Sequence, residues 1–249
     1  AALPPAVVDR SAGAYARMLP GLTRLYLAEI LRSPRFLTIV LGGVLVVLGN
    51  AATLGSFYGT NTYPLTYKVL DMVGGLFSLF IVIVTAIYAG ELVWRERDTR
   101  IEDITDSMPS PSWLGFLAKL GTLAAVQAVL LLVVLACSIG VQLAKGFTRI
   151  ELGHYLFELF VLQWPGFLLV AAMALAVHTL VNNKYLGHFV VLLLFLVTSR
   201  LADLGFEDRL YRYAARPDVI YSDLNGYGHF LPAVAWFRVY WGAFAGTVG

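Results

Sequence analysis

The sequence predicts an all-α integral membrane protein with six spans. Three observations predict it. Of the 249 residues, 59% are hydrophobic and only 14% are charged, against about 25% charged in soluble domains. Charge-free runs long enough to cross a bilayer recur along the chain. Five Trp and thirteen Tyr are available to anchor two membrane interfaces. The net charge of only +2 gives no footprint for a nucleic-acid partner. The single cysteine, Cys137, excludes a disulfide within the chain and makes a structural zinc site implausible.

A spanning helix needs about 20 mainly apolar residues. Six segments qualify, at about 36–57, 72–94, 120–144, 156–181, 185–204 and 230–249. No charge occurs from Phe36 to Tyr67. The second run is interrupted only by Glu91, and the third has no charge at all. The fourth carries Glu158 and His178, the fifth ends near Arg200, and the sixth carries Arg238. Residues 36–249 are thus read as a transmembrane domain and 1–35 as an N-terminal segment. Within that segment Leu22, Leu25, Tyr26, Ile30 and Leu31 fall near one side of a helix, away from Arg24, Glu29 and Arg32. The pattern predicts an amphipathic helix lying in the interface, broken by Pro34. A cytoplasmic extension of the first span is the alternative. The N-terminus lacks the features of a signal peptide, and both ends are expected to continue in a longer polypeptide.

Lys and Arg in the connections set the orientation. With the N-terminus in the cytoplasm, ten basic residues fall inside and seven outside. The stretch GELVWRERDTRIEDITDSMPSPSW, residues 90–113, is then cytoplasmic. Ile101, Ile104 and Met108 recur on one helical face, with Glu102, Asp103 and Asp106 on the others. Thr99 is placed as an N-cap with Glu102 three residues on, a capping-box pattern. Pro109 and Pro111 end the element, and Ser112 is placed to cap the next helix. Three apolar side chains with an acidic rim suit a knob that enters a groove on a partner. They equally suit a loop resting on the bilayer.

Glu96, Arg97, Ile101, Glu102, Ile104, Pro109 and Lys119 together resemble the connection between the second and third spans of ABC-2 type transporter permeases. GELVWRERD, VHTLVNNKYLGHF and YSDLNGYGHFLPAVAWF resemble more specifically the second permease half of a branch in which two halves are fused and end in a zinc aminopeptidase domain. The resemblance implies a six-helix, type V exporter-like transmembrane domain with an interfacial helix and a cytoplasmic coupling helix. It implies that residues Arg97, Thr99, Ile101, Glu102, Asp103, Ile104, Asp106 and Met108 dock on a separate ABC ATPase, where ATP and Mg are bound. It further implies a second permease half as partner, re-entrant or interfacial helices between spans five and six, and the bacterial inner membrane as location.

The chain itself is not read as an enzyme. It has no G-x-x-x-x-G-K-[ST], no H-E-x-x-H and no G-x-S-x-G, and no cofactor site of its own is expected. The polar residues Glu91, Glu158, Gln163, His178 and His188 are candidate intramembrane sites, because ionisable groups in spans mark function by default. The plainer reading of His178 and His188 is that they satisfy a tight turn around Asn182, Asn183 and Lys184. Glu158 and Gln163 either face a cavity or bond neighbouring helices. Arg238 and Glu91 are a possible cross-helix pair. Phe206 to Ala215 is expected to form an amphipathic helix, followed by a turn at Asn225 and Gly226. Two alternatives to the permease reading stand: an ion-coupled secondary transporter using Glu158, His178 or His188, and a membrane anchor for a peptidase.

Overall fold

The computed structural model describes residues 11–51, 56–57, 60–61, 63–100, 111–222 and 224–248. Helix α1 spans Ala12–Arg32; the Ser11 hydroxyl accepts from the Ala14 N–H at 3.2 Å, an N-cap. Extended Ser33 ends it, and its hydroxyl accepts from the Phe36 N–H at 3.2 Å. Pro34, with no N–H to satisfy, opens helix α2, Pro34–Ala51. The two are therefore separate helices joined by a capped corner. Tyr26 and Leu27 pack against the core and Ile30 is buried in it, whereas Leu25 is 55% exposed.

Helix α2 is described to Ala51, and residues 52–55 of the expected first span lie outside the described residues. Ser56–Phe57 and Thr60–Asn61 instead form an antiparallel pair, β1 and β2, with Ser56 opposite Asn61 and Phe57 opposite Thr60. Ser56, Thr60 and Asn61 are residues of low helix propensity, although they lie in a charge-free run. Along α2, Leu37, Leu41, Leu45, Val46 and Leu48 are exposed. A row of large apolar side chains facing outward is what lipid, rather than water, stabilises.

Helices α3 (Thr66–Asp98) and α4 (Ser112–Ala144) each have 33 residues, about 50 Å at 1.5 Å per residue. Both exceed the hydrocarbon thickness of about 30 Å. Ser112 is the first residue of α4 and makes no capping bond; extended Pro111 occupies the cap position. Helix α5 covers Leu152–Leu180 in three parts. An α-helical turn, Leu152–Leu156, is followed by a π-helical stretch, Phe157–Gln163, and then by Trp164–Leu180. Pro165 explains the widened stretch: it donates no hydrogen bond and its ring excludes the normal position of the carbonyl four residues earlier. Helices α6 (Lys184–Arg200) and α7 (Phe230–Val248) follow.

Among the described residues, α2, Phe77–Asp98 of α3, α4 and α5 are long and apolar enough to cross a membrane. Helix α6 has 17 residues, and α7 has 19 that include Pro232 and Arg238. Helices α3, α4 and α5 pack against one another at the centre, with α6 against α3 and α5, and α7 against α5. Helix α1 lies along α4, where Tyr15 meets Trp113 edge-on at 6.1 Å and Thr122 donates to the Thr23 carbonyl at 3.4 Å. One buried amide ties the central three. Gln127 of α4 donates to Thr85 of α3 at 3.0 Å and to the Phe167 carbonyl of α5 at 2.9 Å. Interhelical bonds of this kind contribute about 0.6 to 2 kcal/mol in membrane proteins.

The expected helix from Phe206 to Ala215 does not form. Only Arg209–Tyr211 make a 3-10 turn, which Asp208 caps by accepting from the Leu210 N–H at 2.8 Å. Left-handed backbone at Gly205 (φ 91°) and Ala214 (φ 59°) ends helical geometry on both sides. No α-helix, re-entrant or otherwise, occurs among the described residues from 201 to 229. The expected turn further on is present: Gly226 (φ 55°) and Gly228 (φ 48°) bend the chain, and Ser222 bridges Gly226.

Candidate functional site

The bundle has two distinguishable ends. The near end holds the C-terminus of α3, the start of α4 and the α5–α6 turn. The far end holds the start of α3 and the folded stretch 201–229. Each end carries one polar assembly.

At the near end the last two turns of α3 form a hub. Arg95 pairs with Glu29 of α1 at 2.7 Å and lies over the Tyr26 ring. Glu91 pairs with Lys184 of α6 at 3.2 Å and with Arg35 of α2 at 3.7 Å. Glu96 pairs with Lys119 of α4 at 3.7 Å, and Asp98 with Lys184 at 2.8 Å. Arg97 stacks on Trp94 and donates to the Asn182 side chain at 2.9 Å. One helix end is thus linked to four other helices. Thr99 caps α3 at its C-terminus, its hydroxyl donating to the Arg95 carbonyl at 2.8 Å. Ile101, Glu102, Asp103, Ile104, Asp106 and Met108 lie outside the described residues.

His178 and His188 stand behind this hub, ring centroids 4.7 Å apart. Gly90 and Gly187 leave room for the His178 ring, and Gly90 also faces His188. Asn183 caps α6 by accepting from the Leu186 N–H at 3.1 Å, and His188 Nδ1 lies 3.2 Å from the Ala86 carbonyl. His178 is buried and makes no hydrogen bond among the described residues. Asn182, Asn183 and Lys184 satisfy the turn, while the histidines fill the space between α3, α5 and α6. No group of three or more His, Cys, Asp or Glu among the described residues could hold a metal ion.

At the far end a cavity of about 690 Å³ lies between α3, α5, α6, the 209–218 loop and α7. Glu158, on the π-helical stretch, accepts from Gln163 at 3.2 Å and from Arg216 at 3.1 Å. Arg238 donates to the carbonyls of Ala214 at 2.9 Å and Leu162 at 3.1 Å. Glu91 and Arg238 are therefore not partners; they serve opposite ends. Gly166 permits the approach of Arg238, whose guanidinium would lie 2.9 Å from a Cβ there. Arg209 pairs with Asp218, holding that carboxyl below the usual carboxylate range. Tyr213 is anchored by donating to the Leu169 carbonyl at 2.8 Å, and burial pushes its phenol up to about 12. His154, Tyr221, Tyr227 and Phe157 form an aromatic cluster beside it. The convergence of Arg209, Arg212 and Arg216 with Glu158 and Arg238 was not read from the sequence and required the fold.

The model of the ABC-2 family transporter proteins matches residues 29–199, well over half of the chain. The chain belongs to the ABC-2 family of transporter proteins. No curated protein and no solved structure matches it. Membership makes this ABC-2 protein a multi-pass membrane permease of an ABC transporter, a class driven by ATPase subunits. The matched region takes in the near-end hub. It stops before the 209–218 loop and α7, which supply the cavity's arginines.

Proposed function

We propose that this ABC-2 protein is a six-span permease half of an ATP-driven exporter, coupled through residues 99–108 to a separate ATPase that binds ATP and Mg. The observation that carries the reading is the hub. The connection leaves α3 at the turns that are bonded to α1, α2, α4 and the α5–α6 corner. A push on the connection therefore reaches these elements through ion pairs, and a stiff α3 carries it to the far end. Ile101, Ile104 and Met108 supply apolar area to a partner groove, and Glu102, Asp103 and Asp106 select a basic one. Arg97 and Thr99 fix the root of the lever.

In this proposal the N-terminal side and the hub face the cytoplasm of a bacterial inner membrane, and α6 and α7 complete the six spans. A second permease half closes the pathway, on the same polypeptide if the chain is the second half of a fusion with a zinc aminopeptidase domain. An ion-coupled alternative would use Glu158, His178 or His188, of which Glu158 sits 20 positions from His178 along α5. That is about 30 Å of helix, too far for one relay.

Ile104→Asp tests the coupling. The variant should insert and fold normally, yet its ATPase partner should dissociate, or hydrolyse ATP without responding to substrate. An Ile104→Asp protein that retains the ATPase and its substrate-stimulated hydrolysis would show that residues 99–108 are not the coupling element.

A further inference from the structure

The far-end cavity has more cation than its carboxylates use. Arg209, Arg212, Arg216 and Arg238 line it against Asp71, Glu158 and Asp218. Asp218 is taken by Arg209 and Glu158 by Arg216. Arg212 and Arg238 have no ion pair among the described residues. Nε of Arg212, Nη1 of Arg216 and Nε of Arg238 are buried without a hydrogen-bond partner among them. A buried guanidinium N–H left unmade is costly, and three in one cavity make a ready site for an oxyanion with several acceptor lone pairs.

The cavity also changes character along its length. Charged groups gather at the 209–218 loop, whereas Val82, Phe167, Val170 and Met173 form its wall towards the middle of the bundle. Its volume falls within the range of small-molecule sites. A ligand matching both parts has an anionic head and an apolar body.

We propose that this cavity binds an amphiphile bearing a phosphate or carboxylate head, the head held by Arg212, Arg216 and Arg238 and the apolar body lying along α3 and α5. The head replaces the missing hydrogen-bond acceptors. Glu158 opposes it, because its carboxylate both occupies Arg216 and repels the incoming anion. The site is independent of the coupling reading, since neither ATP nor the ATPase takes part in binding.

The test is direct binding to the full-length protein in detergent, without nucleotide or ATPase. The probes are dihexanoyl phosphatidylglycerol, dihexanoyl phosphatidylcholine and inorganic phosphate. Phosphatidylglycerol should bind saturably and phosphatidylcholine should not. Phosphate should compete weakly, since it fills the head position only. Arg212→Gln and Arg238→Gln should each weaken phosphatidylglycerol binding about tenfold, the loss expected for one charge-assisted hydrogen bond. Glu158→Gln should strengthen it, a change that misfolding cannot produce. Equal binding of the two lipids, phosphate as tight as phosphatidylglycerol, or affinity unchanged in the variants would each overturn the proposal. Failure here leaves the Ile104→Asp result unaffected, and the converse holds.

Discussion

Gly90 shows how one residue can be set by its neighbours. A Cβ there would lie 2.3 Å from His188 Cε1 and 2.8 Å from His178 Cε1. His178 is buried and His188 is held beside the Ala86 carbonyl, so an added methyl meets two rings at once. Gly90→Ala should therefore force α3 away from α5 and α6, at a cost of about 1 to 3 kcal/mol as for other overpacked cores. Thermal unfolding of the purified protein checks it, and an unchanged Tm would mean that the two rings are not fixed. The histidines themselves could be singled out from sequence, because ionisable residues stand out in apolar runs. Gly90 could not, since a glycine in a helix announces nothing until its neighbour is known. Gln127 was missed for a related reason. It sits in a long charge-free run, and only packing brings Thr85 and the Phe167 carbonyl within its reach.

Elements were legible where hydropathy and helix coincide, and less so where they part. Apolar windows report bilayer thickness, so they located α3 and α4 but not their full lengths, which run on as helix beyond the apolar stretch. The 206–215 stretch departs from its amphipathic helical pattern because local side-chain bonds compete with helix. Asp208 instead bonds the backbone of Leu210, and Arg209 reaches forward to Asp218 and the Arg216 carbonyl. That forward pair predicts an acid response. Asp218 is more acidic folded than unfolded, so its contribution is present above the unfolded value and lost as pH falls through the lower folded value. Limited proteolysis between 205 and 229 should accelerate in that acid window and not at neutral pH, and Asp218→Asn should be cut faster already at neutral pH. The hub at the other end behaves differently. Lys184 joins Glu91 and Asp98, both partly exposed, so Lys184→Ala should change stability by about 1 kcal/mol or less. It removes the ion pairs between α3 and α6, however, so substrate-stimulated ATP hydrolysis in the assembled transporter should drop far more than Tm does. Parallel losses in both measurements would reduce the hub to a structural staple.

For the whole molecule, the number of crossings rests on α6 and α7. Neither matches the length and hydropathy of the other spans, which is why sequence alone marks them weakly: α6 is short, and Arg238 lowers the hydropathy of α7. Their placement nevertheless argues for crossing. Helix α6 starts at the near end, where Lys184 meets the α3 C-terminus. The 209–218 loop that follows α6 lies at the far end, where Arg216 meets Glu158 and Tyr213 meets the Leu169 carbonyl. The 17 residues of α6 cover about 25 Å, enough for a locally thinned bilayer. Helix α7 begins beside the same loop, and its Arg238 costs little because its guanidinium is turned into the protein cavity rather than lipid. Single cysteines introduced after replacing Cys137 by alanine decide the matter. A membrane-impermeant maleimide applied to intact cells should label Glu207→Cys, while Asn183→Cys and Thr247→Cys should react only after permeabilisation. Labelling of Glu207→Cys and Thr247→Cys from the same side would mean that α7 does not cross. Labelling of Asn183→Cys from outside would invert the orientation and place the hub away from any cytoplasmic ATPase, removing the coupling reading together with the topology.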